Sequence, residues 1–124
     1  PQFDIHPPNP RRAGLIYDET LGVKRWIHPS LKQGDHNILP DMANPNITLL
    51  YGEEGWNEMV ITARGTHLKA EVNGEVATDF DGSGVLDDEA HRKHQVGMRG
   101  HIALQLHSRN ELKAQFKDVY IREL

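Results

Sequence analysis

Asp4 and His6 stand two positions apart in "PQFDIHPP", and Gln105 and His107 stand two apart in "HIALQLHS". Both stretches alternate. Gln2, Asp4 and His6 share one parity against Phe3 and Ile5, and His101, Gln105 and His107 share one against Ile102, Leu104 and Leu106. On a strand the two parities point to opposite faces. If the two strands lie near each other, one sheet face gathers a carboxylate, amides and imidazoles. Asp and His supply acid and base groups near neutral pH, and Gln orients hydroxyls. The plainer alternative is a solvated sheet face, for which Asp, Gln and His are unusual choices.

Three further groups carry possible chemistry. "DFDGSGVLDDEA", residues 79–90, has calcium-loop spacing in Asp79, Asp81, Ser83, Gly84 and Asp87, but Ala90 stands where a bidentate Glu belongs. An acidic turn is the simpler reading. "HRKH" sets His91 and His94 three apart, whereas paired zinc histidines on a helix are usually four apart; an exposed helical turn accounts for it. Among the aromatics, Trp26 lies beside Lys24, Arg25 and His28 and is a candidate platform for a sugar ring, whereas Trp56 opens a strand and reads as core. Arg11 and Arg12 follow a Pro-rich turn, from which they either reach a ligand oxygen or stay solvated.

The elements that must position these groups are strands. Helical periodicity is nearly absent, and short alternating runs bounded by turn residues predict an all-β domain. We read strands near 2–6, 14–18, 47–51, 57–64, 67–72, 75–80, 101–107 and 112–122, with one short helix around 86–93. Asn73-Gly74 predicts a two-residue type I′ turn, in which both residues take φ > 0. In the last strand the apolar parity slips after Asp118, which predicts a β-bulge. Residues 28–46 form a long loop with three prolines.

The chain has 124 residues, enough for one domain and one core. Hydrophobic content of 37% and charged content of 26% are those of a globular protein. A net charge of −4 argues against a phosphate-backbone binder. No apolar run approaches the roughly 18 residues of a membrane span. There are no cysteines, which excludes disulfides and thiolate chemistry. The chain opens on Pro1, abruptly inside a predicted strand, so we expect something upstream.

Taken together, several pieces resemble the 3-keto-disaccharide hydrolase family, whose fold is a concanavalin A-like jelly roll. They are Trp56-Asn57, Gly65, Asn73-Gly74, the run from Gly100 through Gln105 to His107, and Phe116-Lys117-Asp118-Val119. "PQFDIHPP" and "AGLIYDE" match two further segments of the family pattern. The resemblance covers most of residues 1–124, read as a single β-sandwich domain like the C-terminal half of a larger jelly roll. A half sandwich leaves apolar faces and edges open. Another chain, a second copy or a further segment is therefore expected to complete it.

The resemblance implies cleavage of glycosides already oxidised to a ketone at C3. The ketone acidifies the C2 proton; a base removes it, C1 expels its leaving group, and water adds back. His6 and His107 are then the candidate base and acid. Asp4 would orient a histidine, hold a hydroxyl or bind a metal, and Gln2, Gln105, Trp26 and Arg11 would hold the sugar. A divalent cation on Asp4, His6 and His107 would stabilise the enolate, although the spacing does not demand one. The resemblance also favours a bacterial periplasmic or extracellular setting. A direct glycosidase would need two carboxylates flanking the bond, and the opening strand has one. A carbohydrate-binding module and a structural subunit remain the alternatives, because fold does not fix function.

Overall fold

The computed structural model describes residues 1–6, 12–27, 44–50, 55–96, 99–108 and 113–124. It is all-β, with two antiparallel three-stranded sheets and one short helix among the described residues, in keeping with part of a jelly-roll sandwich. Strands β1 (Gln2–Phe3), β2 (Ile16–Asp18) and β3 (Arg25–Ile27) form the first sheet, in that order. Strands β4 (Met59–Arg64), β5 (His67–Val72) and β6 (Glu75–Asp81) form the second, followed by helix α1 (Glu89–Lys93).

The second sheet follows the predicted hairpin closely. Leu68, Ala70 and Val72 are buried, and their neighbours His67, Lys69 and Glu71 are more open. Asn73 and Gly74 take φ of 51° and 83°, as a type I′ turn requires. A register shift at Ala70/Glu71 puts both Ala77 and Thr78 of β6 in the interior.

The two sheets share a core. Ile16 and Ile27 of the first meet Leu68 of the second, with Phe3, Phe80, Val85 and Leu86 packed around them. Each such aliphatic side chain contributes about 1.5–3 kcal/mol when fully buried. Gly14 lets the sheets approach. Its φ is 80°, and a Cβ there would stand 2.5 Å from the Ala77 Cβ.

Several expectations are corrected. β1 ends at Phe3, although the Asp4 N–H still donates to the Leu15 carbonyl at 2.9 Å. Residues 47–50 form no strand, and residue 51 lies outside the described residues. Side-chain amides take the place of a ladder there: Asn57 brackets Leu50 through both its N–H and its carbonyl, and Asn73 donates to the Thr48 carbonyl at 2.7 Å.

The predicted strands at 101–107 and 112–122 are also absent among the described residues. Their apolar parity is open, with Ile102, Leu104 and Leu106 at 76%, 59% and 57% exposed. No described strand lies beside them to complete a ladder. The parity slip survives as a left-handed residue, Asp118 at φ 52°. Trp56 is not core: it is 39% exposed, and the Lys117 ammonium rests 4.3 Å from its ring centroid. The strand β3 was missed. Most of the long loop, 28–43, lies outside the described residues.

Candidate functional site

The register of the first sheet builds the site. Gln2 pairs with Tyr17, and Tyr17 with Trp26. The three side chains share the face opposite Phe3, Ile16 and Ile27, which enter the core. Asp4, two residues after Gln2, continues on the same parity. Tyr17 and Trp26 meet edge to face, with ring centroids 5.0 Å apart and planes at 75°. Arg12 comes in over the Trp26 ring, its guanidinium carbon 5.1 Å from the centroid.

Asp4 is at the centre of this group. Its carboxylate lies 3.5 Å from Arg12 Nε. Burial pushes its pKa above the ordinary aspartate range, and the nearby charges of Arg12, His6 and His107 offset this only partly. A carboxyl raised in this way holds a proton more readily than an ordinary aspartate. Gln2 Oε1 and Arg12 Nε are both buried with no hydrogen-bond partner. Buried polar atoms are nearly always paired, so unpaired ones ask for an explanation.

The sequence-predicted residues fare differently. Asp4, His6 and His107 are close enough for both histidines to act on the Asp4 carboxyl. His107 Nδ1 also lies 2.9 Å from the Ser108 carbonyl oxygen. Gln2 and Trp26 lie on the same sheet face, and Gln105 is exposed two residues before His107. Arg11 lies outside the described residues; its neighbour Arg12 is the guanidinium seen beside Asp4. Among the described residues, which include Asp4, His6 and His107, no three His, Cys, Asp or Glu side chains are grouped to hold a metal ion.

Sequence reasoning passed over Tyr17 as a site residue and gave Arg12 second place to Arg11. The signal for Tyr17 was its parity: "LIYD" alternates, and Tyr17 opposes the buried Ile16.

The two other candidates resolve into structure. In the acidic turn, His67 Nε2 lies 2.6 Å from Asp79, Asp81 accepts from the Ser83 N–H, and Asp87 accepts from the Gly84 N–H. These carboxylates serve the turn and its flanking strand. The "HRKH" turn is not simply exposed: His94 is open, but His91 is fully buried between Asp18 and Asp88.

The fold and this face define an all-β domain, in keeping with part of a sandwich, that groups a carboxyl, two imidazoles and a guanidinium, the last over one of two paired aromatics. The profile of the 3-keto-alpha-glucoside-1,2-lyase-like domain matches residues 1–122. The chain belongs to that family, whose domain is associated with carbohydrate. No curated protein and no solved structure matches it significantly. No helix among the described residues is long and apolar enough to cross a membrane.

Proposed function

We propose that this protein cleaves 3-keto-glucosides by removing the C2 proton, expelling the C1 substituent and adding water. The observation that carries this reading is the Asp4 carboxyl, raised by burial and ringed by Arg12, His6 and His107. An elimination needs a base at C2, an acid at the leaving oxygen and an electrophile at the ketone. His6 and His107 are the imidazoles for proton transfer, and Asp4 relays or supplies a proton beside them. Gln2, with its unpaired carbonyl oxygen, accepts from a sugar hydroxyl, and Gln105 holds another. Family membership supports the substrate class. A sugar-binding module would need the hydroxyl contacts but no perturbed carboxyl, so Asp4 favours the enzyme.

The open parity of Ile102, Leu104 and Leu106, together with exposed Val119 and Ile121, supports a second element of this reading. These segments are covered in the working protein by a further strand whose alternate residues are apolar. Exposed apolar rows of this kind call for a partner surface.

The test is leaving-group release from a 3-keto-glucoside and from its unoxidised parent, with and without chelator. Release from the keto sugar alone is expected. Equal release from both would indicate a direct glycosidase, and none from either would leave a binding or structural module. Loss with chelator would add a divalent cation to the site.

A further inference from the structure

Trp26 is already engaged in the free protein. Arg12 covers its face at 5.1 Å, and Tyr17 meets it edge-on. A stacking platform for a pyranose offers a bare ring, and the face under Arg12 is not bare. The guanidinium is held from two directions, by the indole below and by Asp4 at 3.5 Å. Cation–π contact and an ion pair together fix a side chain that otherwise has many rotamers. The Nε so fixed is buried beside the Asp4 carboxylate without a hydrogen bond, while the side chain as a whole keeps 29% of its surface open. A guanidinium that is charged, immobilised and partly open is what a site must hold ready for an oxygen that becomes negative during reaction.

We propose that Arg12 is the electrophilic catalytic residue of this site and that Trp26 is a positioning residue acting through it, not a sugar-stacking platform. The proposal rests on the keto-glycoside reading above. When the base takes the C2 proton, the C–H electron pair forms the C2–C3 double bond, and the carbonyl pair moves to the C3 oxygen. The Arg12 guanidinium donates to that oxygen. The pair then returns: the C3 carbonyl re-forms, a C1–C2 double bond forms, and the C1–O bond breaks with its electrons. The departing oxygen takes a proton from the site acid. Water then returns hydroxide to C1 and a proton to C2. Arg12 acts throughout only as a hydrogen-bond donor.

The experiment is steady-state cleavage of a 3-keto-glucoside by wild type, Arg12→Gln, Arg12→Lys, Trp26→Phe, Trp26→Ala and the Arg12→Gln/Trp26→Ala double variant. Urea midpoints verify that each is folded. Arg12→Gln is expected to lower kcat about 100-fold or more, with KM changed only a few-fold. Arg12→Lys recovers part of the rate, because the charge remains but the planar fork does not. Trp26→Phe keeps a ring beneath the cation and retains more of the rate than Trp26→Ala. Trp26→Ala lowers kcat, and the double variant is no slower than Arg12→Gln alone, since Trp26 acts only through Arg12. If Trp26→Ala instead raises KM at unchanged kcat, the indole stacks the sugar and the proposal is overturned. An active wild type with unimpaired Arg12→Gln overturns this proposal alone. A silent wild type overturns the cleavage reading, and this proposal with it.

Discussion

His91 reaches back across 73 positions of chain to Asp18: its Nε2 lies 3.0 Å from Asp18 Oδ2, in the interior. Its other nitrogen, Nδ1, lies 2.7 Å from Asp88 Oδ1. One ring nitrogen of His91 thus faces each carboxyl group, and the imidazole bridges the two. Arg25 adds a second cation, with Nε 4.0 Å from Asp18 and Nη2 3.9 Å from Asp88. His91, Arg25 and the two aspartates thus tie α1 to β2 and β3, the strands that carry Tyr17 and Trp26. Asp18 also accepts from the Thr20 N–H at 3.0 Å and so shapes the turn between those strands.

Removing His91 leaves the buried Asp18 carboxyl with only the Thr20 N–H and the more distant Arg25 as partners. His91→Ala should cost about 3–5 kcal/mol, the range for breaking a buried pair from one side. Adding Asp18→Asn should recover part of that loss, because the buried acid is then gone along with its lost partner. Urea denaturation of the two singles and the double closes the cycle. Strictly additive losses would mean that the His91–Asp18 contact contributes nothing.

The same cluster predicts an acid limit. The hydrogen bond from the His91 ring, followed by that from its backbone N–H, holds the Asp88 carboxyl below its ordinary pKa. A lowered folded-state pKa adds stability above the unfolded value, about 3.9. That stability is lost as pH falls through the lower folded value. The urea midpoint should therefore decline below about pH 4, and Asp88→Asn should flatten that decline. An unchanged acid limb in Asp88→Asn would assign the acid sensitivity to other carboxylates.

How far the sequence revealed this protein depended on how local each signal was. Asn73-Gly74 and the alternation from His67 to Val72 needed only their neighbours, and both appear as read. The Asp118 slip was legible as a local backbone feature, φ 52°, but not as a bulge, because a bulge needs a partner strand. His91 was misread as surface because its reason for burial, Asp18, lies in a distant strand. β3 is three residues long and shows too little alternation to stand out. Of the site, Asp4, His6 and His107 came from parity alone, whereas Arg12 over Trp26 depends on how the chain returns after its Pro-rich turn.

Gly14 predicts a two-part loss. Gly14→Ala should strain a backbone at φ 80° and drive its Cβ against Ala77 at 2.5 Å. The first term is about 1–2 kcal/mol, and overpacking adds about 1–3 kcal/mol. Ala77→Gly in the same chain should relieve the second term only. Thermal melts of the single and double variants separate the two, and full rescue by Ala77→Gly would mean that the backbone strain is negligible.

Asn73 is expected to matter beyond its turn. Its amide donates to the Thr48 carbonyl and to Asn57 Oδ1, and its side-chain oxygen accepts from the Glu58 N–H. Asn73→Gly keeps the φ of 51° accessible yet loses all three bonds. A cost of about 1–3 kcal/mol is expected, and Asn73→Ala should cost more, because Ala resists φ > 0. If Gly and Asn prove equally stable in urea, the bridge to residues 48–57 contributes nothing.

Asp4 should trade stability for chemistry. Burial raises its folded-state pKa above the unfolded value, more strongly than Arg12, His6 and His107 lower it. Between those two values the folded protein binds more protons than the unfolded one, so stability falls as pH rises through that window. Above that window an ionised Asp4 is therefore a net cost, and Asp4→Asn should raise Tm there, by about 4 °C for each kcal/mol in a domain of this length. The gain should shrink to nothing below about pH 4, where the wild-type carboxyl is protonated in both states. The same substitution removes the proton carrier, and release from a 3-keto-glucoside should fall about 100-fold or more. Calorimetry across pH, paired with the release assay, reads both effects on one variant. A Tm that drops at neutral pH would show that the Arg12 ion pair outweighs desolvation, and an unimpaired rate would remove Asp4 from the proton-transfer steps.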